Sequence, residues 1–195
     1  MSANRARGNR REVILEAAAE LFSQRGYPAT GVDEIGEAAG ISGPGVYRHF
    51  GTKNEVLGEV VERAISRVVS GVADVVGAAD DGWELLRGLV DNMVRAVLSD
   101  RAAWTVVVRE QRHLDPVASR TLGRAHRLHI EEWVHALAQV RPELSDADVR
   151  VVVHGVLGVC APFAVRPDTG LDEERLVALL TDLAMKILRD TRVAV

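Results

Sequence analysis

Thr30-Gly-Val-Asp-Glu-Ile-Gly-Glu-Ala-Ala-Gly-Ile-Ser-Gly-Pro-Gly-Val-Tyr-Arg-His-Phe50, with Lys53 just beyond it, decides how this chain folds. The stretch predicts two short helices joined at a tight glycine turn. Val32, Ile35, Ala38 and Ala39 share one face of the first, and Val46 and Phe50 stand four apart on the second. Thr30 and Ser42 are placed to cap the two helices, each offering an oxygen to N–H groups that have no helical partner. Gly40 suits the left-handed backbone of a sharp helix end. Two helices this short cannot stand alone, but they are the right size to lay one helix in a DNA major groove. The reading is a helix-turn-helix, and its implied partner is duplex DNA.

Outward from this stretch the whole chain reads as helix, and no run alternates with period two. Residues 10–25 place Ile14, Ala17, Ala18, Leu21 and Phe22 on a stripe that ends at Gly26. A long helix from Asn54 to about Gly77 buries Val56, Leu57, Val60, Val61, Ala64, Ile65, Val68, Val72 and Val75. Asp80 or Asp81, Asp100, Pro116, Ser145 and Asp172 mark five further helix starts. The helix at Pro116 is expected to bury Leu122, Leu128, Trp133 and Leu137. The expected fold is all-α, with about nine helices. No apolar run approaches a membrane span. The basic N-terminus has no apolar run behind it and so does not read as a signal peptide. One cysteine, Cys160, cannot form an internal disulfide, which fits a cytoplasmic location.

The net charge of −4 looks wrong for a DNA binder until it is divided. Residues 1–53 hold seven Arg and Lys against six acids, while the remainder holds 17 basic and 22 acidic residues. A small DNA-facing head on an acidic body fits this segregation; a DNA-coating protein does not.

Three short N-terminal helices carrying Tyr47-Arg48-His49-Phe50 and Lys53, followed by about six longer ones, resemble the TetR family of one-component transcriptional regulators. The motif covers roughly residues 10–57, and the helix count extends the likeness to the whole chain. The resemblance implies a DNA-binding head over residues 1–53, with residues 1–9 a flexible basic arm, and a ligand-binding, dimerising body over 54–195. It implies phosphate contacts from Thr30, Tyr47, His49 and Lys53. Base readout is expected from Ser42, Gly43, Pro44 and Gly45 at the start of the second helix, and from Arg48, which can address a guanine edge or a phosphate. Gly43 and Gly45 depart from the larger residues common in the family, and Gly36 from its usual Ala, which is expected to weaken the first helix slightly. Arg5, Arg7, Arg10 and Arg11 are candidates for an arm in a neighbouring minor groove.

In the body, helices 145–165 and 172–189 are apolar around much of their circumference, and Gly155 and Gly158 permit close approach. They are expected to form a two-fold homodimer interface. Trp83, Trp104, Trp133 and Phe163 are the body's only aromatics. That scarcity favours a small aliphatic or acyl effector over a flat aromatic cation. Candidate effector contacts are Trp104, Val108, Arg109 and Trp133, with Arg109, Arg112 and His113 available to an anionic group. His126, His129 and Glu132 share a helix face but lack a third strong ligand, so neither a metal nor another cofactor is expected. Cys160 reads as a core residue. No phosphate loop and no nucleophile beside a base point to an enzyme. The expected function is a ligand-released repressor on a pseudo-palindromic operator, with an activator or a regulator without ligand gating as the alternative.

Overall fold

The computed structural model describes residues 2–165 and 169–191, with side chains from Arg10 onward. Among these residues the fold is all-α, with nine helices and no strand. The helices are α1 (Ser2–Arg25), α2 (Val32–Ala38), α3 (Gly43–Tyr47), α4 (Lys53–Ala78), α5 (Gly82–Ser99), α6 (Arg101–Glu110), α7 (Pro116–Val140), α8 (Asp146–Cys160) and α9 (Glu173–Asp190). Short 3₁₀ turns follow α6 at Gln111–His113 and α8 at Ala161–Ala164. The chain divides into two compact units. One joins residues up to Ala64 with Ala102–Leu122; the other joins Ile65–Arg101 with residues from Gly123 onward. This division does not coincide with the expected boundary after residue 53. The head shares its unit with the first half of α4, with α6 and with the start of α7.

In the first unit the core is built from Ile14, Leu15, Ala18, Ala19 and Phe22 of α1, Ile35 and Ala39, Val46, Phe50, and Val56, Leu57, Val60 and Val61 of α4. The stripe of α1 is rotated from the expected one, since Ala17 and Leu21 are only half-buried. Val32 is half-buried and Ala38 exposed, so Ile35 and Ala39 carry the inner face of α2. Helix α1 also begins well before residue 10. Arg10 and Arg11 are therefore not part of a flexible arm. Arg10 donates to the Ala39 carbonyl at 3.3 Å. The Arg11 guanidinium lies 4.1 Å from the Phe50 ring centre. It also donates to Glu59 and to the His49 carbonyl. Both side chains bond other elements of the first unit and so fasten α1 to them. The side chains of Arg5 and Arg7 lie outside the described residues.

The second unit packs α5, α8 and α9 on one another, and the α7 segment adds Trp133 and Leu137, both fully buried. Caps start the helices where the sequence placed them. Asp81 accepts from the N–H groups of Trp83 at 2.7 Å and Glu84 at 2.9 Å. Ser145 and Asp148 cap each other's N–H groups at 3.2 Å. Asp172 accepts from Arg175 N–H at 2.8 Å. The end of α9 is closed by Arg141, which donates to the carbonyls of Leu188, Arg189 and Thr191 at 2.7, 2.8 and 2.9 Å. A cation there satisfies terminal carbonyls and complements the helix dipole. Cys160 is buried, and burial pushes its thiol up to about 11, so it stays protonated in the core. Two expectations are corrected. Leu128 is exposed, and Ile130 and Val134 fill the inner face of α7 instead. The 19 residues Asp146–Ala164, at a mean hydropathy of 1.5, are long and apolar enough to span a membrane by length and composition. Only 33% of them are buried within the chain.

Candidate nucleic-acid interface

Glycine shapes the tip of the head. Gly40, at φ +68°, ends α2 in the left-handed region. The Gly40 N–H reaches the Glu37 carbonyl at 3.0 Å, and the Ile41 N–H reaches the Gly36 carbonyl at 2.8 Å. These are the paired closing bonds of a Schellman turn. They bring Ser42 to the N-cap of α3 with extended backbone (φ −81°, ψ 159°), though its hydroxyl caps no N–H. Gly36 decides how closely the two helices approach. A Cβ there would sit 2.8 Å from the Ser42 carbonyl carbon and 2.9 Å from the Gly43 nitrogen, both backbone atoms. The glycine expected to weaken α2 is thus a condition of the α2–α3 packing.

Helix α3 then divides its residues by face. Gly43, Gly45 and Val46 turn inward, while Ser42, Pro44, Tyr47 and Arg48 are exposed, Tyr47 at 53%. A Cβ on Gly43 would collide with Asp33, and one on Gly45 would stand 3.3 Å from the Arg48 guanidinium. Both glycines serve packing, and neither offers an outward side chain. The outward group holds two donors at the helix C-terminus, Tyr47 and Arg48, and a rigid apolar ring with a hydroxyl at its N-terminus. That combination suits phosphate positioning and base-edge contact on one duplex.

The remaining candidates lie elsewhere. Thr30 is 1% exposed, and its hydroxyl donates to the Gly26 carbonyl at 2.9 Å; Gly31, not Thr30, stands at the N-cap of α2. Thr30 therefore fastens the turn after α1 and offers no hydroxyl to a phosphate. Lys53 is half-buried. Its ammonium donates to the carbonyls of Tyr27 and Thr30, each at 2.9 Å, and lies 4.4 Å from the Tyr27 ring centre. Two of its three donors are thereby committed to the fold. His49 is half-buried.

Tyr27 is a hub. Its ring stacks on His113 at 5.5 Å and meets Phe22 edge-on at 5.4 Å. Asn54 donates to the Tyr27 hydroxyl at 3.3 Å and to the His113 carbonyl at 2.6 Å, and accepts from Asp115 N–H at 2.9 Å. Glu110, a carboxylate only 6% exposed, bonds His113 Nδ1 at 3.0 Å. The turn after α1, the start of α4 and the 3₁₀ turn after α6 are thus tied in one knot. Its three segments lie more than 20 residues apart in sequence, so no local pattern announces it.

The effector candidates are only partly gathered. Trp104 is 8% exposed and its indole N–H has no acceptor, whereas Val108 and Arg109 on the same helix are exposed. Arg112 is exposed and His113 belongs to the knot, so the anionic site expected of Arg109, Arg112 and His113 is not assembled. Trp133 lies wholly within the second unit. Within the first unit, a cleft of about 460 Å³ lies between α4 and the start of α7. Gly58, Val117, Ala118 and Leu122 line it with the carboxylates of Glu55, Glu59, Glu62 and Asp115, a charge opposite to the one that would meet an anionic group on an effector. Among the described residues no group of three His, Cys, Asp or Glu side chains is placed to hold a metal.

A short glycine-hinged helix pair with an outward polar face, on an all-helical body, defines a helix-turn-helix DNA-binding protein. Residues 14–60 match the family described as bacterial regulatory proteins, tetR family. The chain is 34% identical over 110 residues to the transcriptional activator FasR of Mycolicibacterium smegmatis, covering 56% of this chain and 50% of FasR. It is 30% identical over 108 residues to the transcriptional repressor KstR2 of Rhodococcus jostii, covering 55% of this chain and 53% of KstR2. The chain therefore spans about half the length of these curated relatives. Among solved structures, the TetR-family regulator PfmR of Thermus thermophilus superposes with a TM-score of 0.77 at 25% identity, over 89% of this chain and 97% of PfmR. AibR, solved with isovaleryl coenzyme A and operator DNA, superposes equally well, at a TM-score of 0.77 and 20% identity over 89% and 97%. Residues 14–60 thus carry the DNA-binding domain of the tetR family, and the chain as a whole is similar in fold to TetR-family regulators.

Proposed function

We propose that this protein is a dimeric repressor that holds a pseudo-palindromic operator and releases it on binding a small, largely aliphatic effector of the acyl class. The observation that carries the DNA-binding half is the outward set on α3, Ser42, Pro44, Tyr47 and Arg48, held rigid by the backbone contact at Gly36. Arg48 addresses a guanine edge or a phosphate, Pro44 a thymine methyl, and Tyr47 and the remaining donor of Lys53 the backbone. Readout of DNA shape supplies the rest, because Gly43 and Gly45 present no side chain.

The dimer forms through α8 and α9. Val151, at 72% exposed, shares the outer side of α8 with Gly155 and Gly158, where an added Cβ would meet no atom within 4 Å. On α9, Leu179 and Leu183 are 43% and 46% exposed. A second copy covering this face accounts for the apolar surface that makes α8 resemble a membrane helix. Two heads then meet half-sites about 34–36 Å apart, or a multiple of that spacing.

Gating follows from the knot at Tyr27, Asn54 and His113. An effector that moves α6 or α4 changes the position of the turn leading into α2, and so shifts the population away from the DNA-competent form. AibR's coenzyme A thioester supports the acyl class. FasR supports a second reading, in which the same head activates transcription; operator position relative to the promoter decides between them. The role is binding and not turnover.

The test is a gel shift on the DNA flanking the gene, with and without short- and medium-chain acyl-coenzyme A. Specific retention that an acyl-coenzyme A relieves is expected. Binding no stronger than to scrambled DNA overturns the regulator reading, and retention indifferent to every acyl compound overturns the gating.

A further inference from the structure

The second unit contains a buried donor that the packing leaves unused. His129 of α7 is 8% exposed, and its Nε2 accepts from the indole N–H of Trp133, one turn along, at 3.2 Å. An imidazole that accepts at Nε2 carries its proton on Nδ1. That Nδ1 is fully enclosed and has no hydrogen-bond partner, the carboxylate of Glu132 stopping 3.9 Å away. Buried N–H groups are nearly always paired, so an unpaired one needs a reason.

We infer that His129 is the polar contact of the effector site, donating from Nδ1 to an uncharged acceptor oxygen such as the carbonyl of an acyl thioester. This deepens the proposed function and rests on its acyl-class effector. The surroundings select the acceptor's character. Burial, and then the charge of His126, pull the His129 pKa below the ordinary imidazole value, so the ring enters the contact neutral. A neutral donor with the Glu132 carboxylate 3.9 Å away favours an uncharged carbonyl over a second carboxylate, which that charge would repel. Trp133, itself fully buried, holds the tautomer and ring orientation that direct the N–H. The role of the bond is to tell an acyl chain from an alkyl chain of the same length.

The experiment compares two variants that orphan Trp133 equally. His129→Asn keeps an N–H near the Nδ1 position; His129→Leu removes it. Each full-length protein is titrated by calorimetry with butyryl-, isovaleryl-, octanoyl- and lauroyl-coenzyme A, and with the matching S-alkyl thioethers that lack the carbonyl. The wild type should prefer the best thioester over its thioether by about tenfold. His129→Asn should keep most of that preference and His129→Leu should lose it. In parallel, the Nδ1–H resonance of His129 in ¹⁵N-histidine-labelled wild type should move downfield with the thioester and not with the thioether, a readout that does not depend on the variants folding. Thioesters that bind without this preference, or with an unmoved resonance, overturn the role of His129 and leave the acyl reading intact. Failure of every thioester to bind overturns both.

Discussion

Gly36 shows how one missing methyl sets the geometry of a recognition element. Its Cβ would lie inside contact distance of two backbone atoms at the α2–α3 junction, where no side chain can swing aside. Gly36→Ala is expected to cost about 1–3 kcal/mol in urea unfolding and to weaken operator binding, despite the better helix propensity of Ala. A variant as stable as the wild type would mean that α3 can slide freely. Arg48 carries the sharpest test of readout. Arg48→Ala should lose about 1–3 kcal/mol on the operator and relax specificity at one base pair. A uniform loss over all sequences would reassign it to phosphate. At His129 the sign of the pH dependence follows from its lowered pKa. The unfolded chain binds a proton near pH 6.5 that the folded imidazole refuses, so stability is complete above that value and falls as the pH drops below it toward the folded pKa. The melting temperature should decline below about pH 6.5, and less steeply in His129→Asn.

Among the elements, helix starts were the most legible feature. Asp81, Ser145 and Asp172 cap the helices that their sequence positions announced, because a cap and its N–H targets are neighbours in the chain. Helix ends and inter-element ties were not. Arg141 closes α9 from about 50 residues away, and Asn54 reaches His113 across 59. Arg141→Ala should cost about 1–3 kcal/mol and raise hydrogen exchange in the last turn of α9, with the head's protection unchanged. The set proposed to face DNA was half legible. Tyr47, Arg48, Ser42 and Pro44 are exposed, as the contacts expected of them require. Thr30 and Lys53 carry the right chemistry but direct it to the turn at Tyr27, which composition and spacing could not reveal.

For the whole molecule, the unpartnered apolar side of α8 and α9 matters most. Replacing Leu179 and Leu183 together by Glu leaves the buried residues Leu176 and Leu180 in place and puts charge on the outer face. The double variant should sediment as a monomer with an intact circular dichroism spectrum, and should lose operator binding through the loss of paired heads. A dimer that survives this change would exclude α8 and α9 as the interface.

What the sequence alone determined was the all-helical class, the helix-turn-helix, and where most helices begin. Each depends on residues within a turn or two of one another, whose periodicity and caps are fixed by local backbone geometry. Only the tertiary structure decided which polar groups face outward and which serve the fold, with Thr30, Arg11 and Lys53 taken inward and His129 and Trp104 left buried with an unpaired N–H. The physical reason is that a polar side chain's role depends on which distant carbonyls, rings and carboxylates come within about 3 Å of it, and sequence spacing does not encode that proximity.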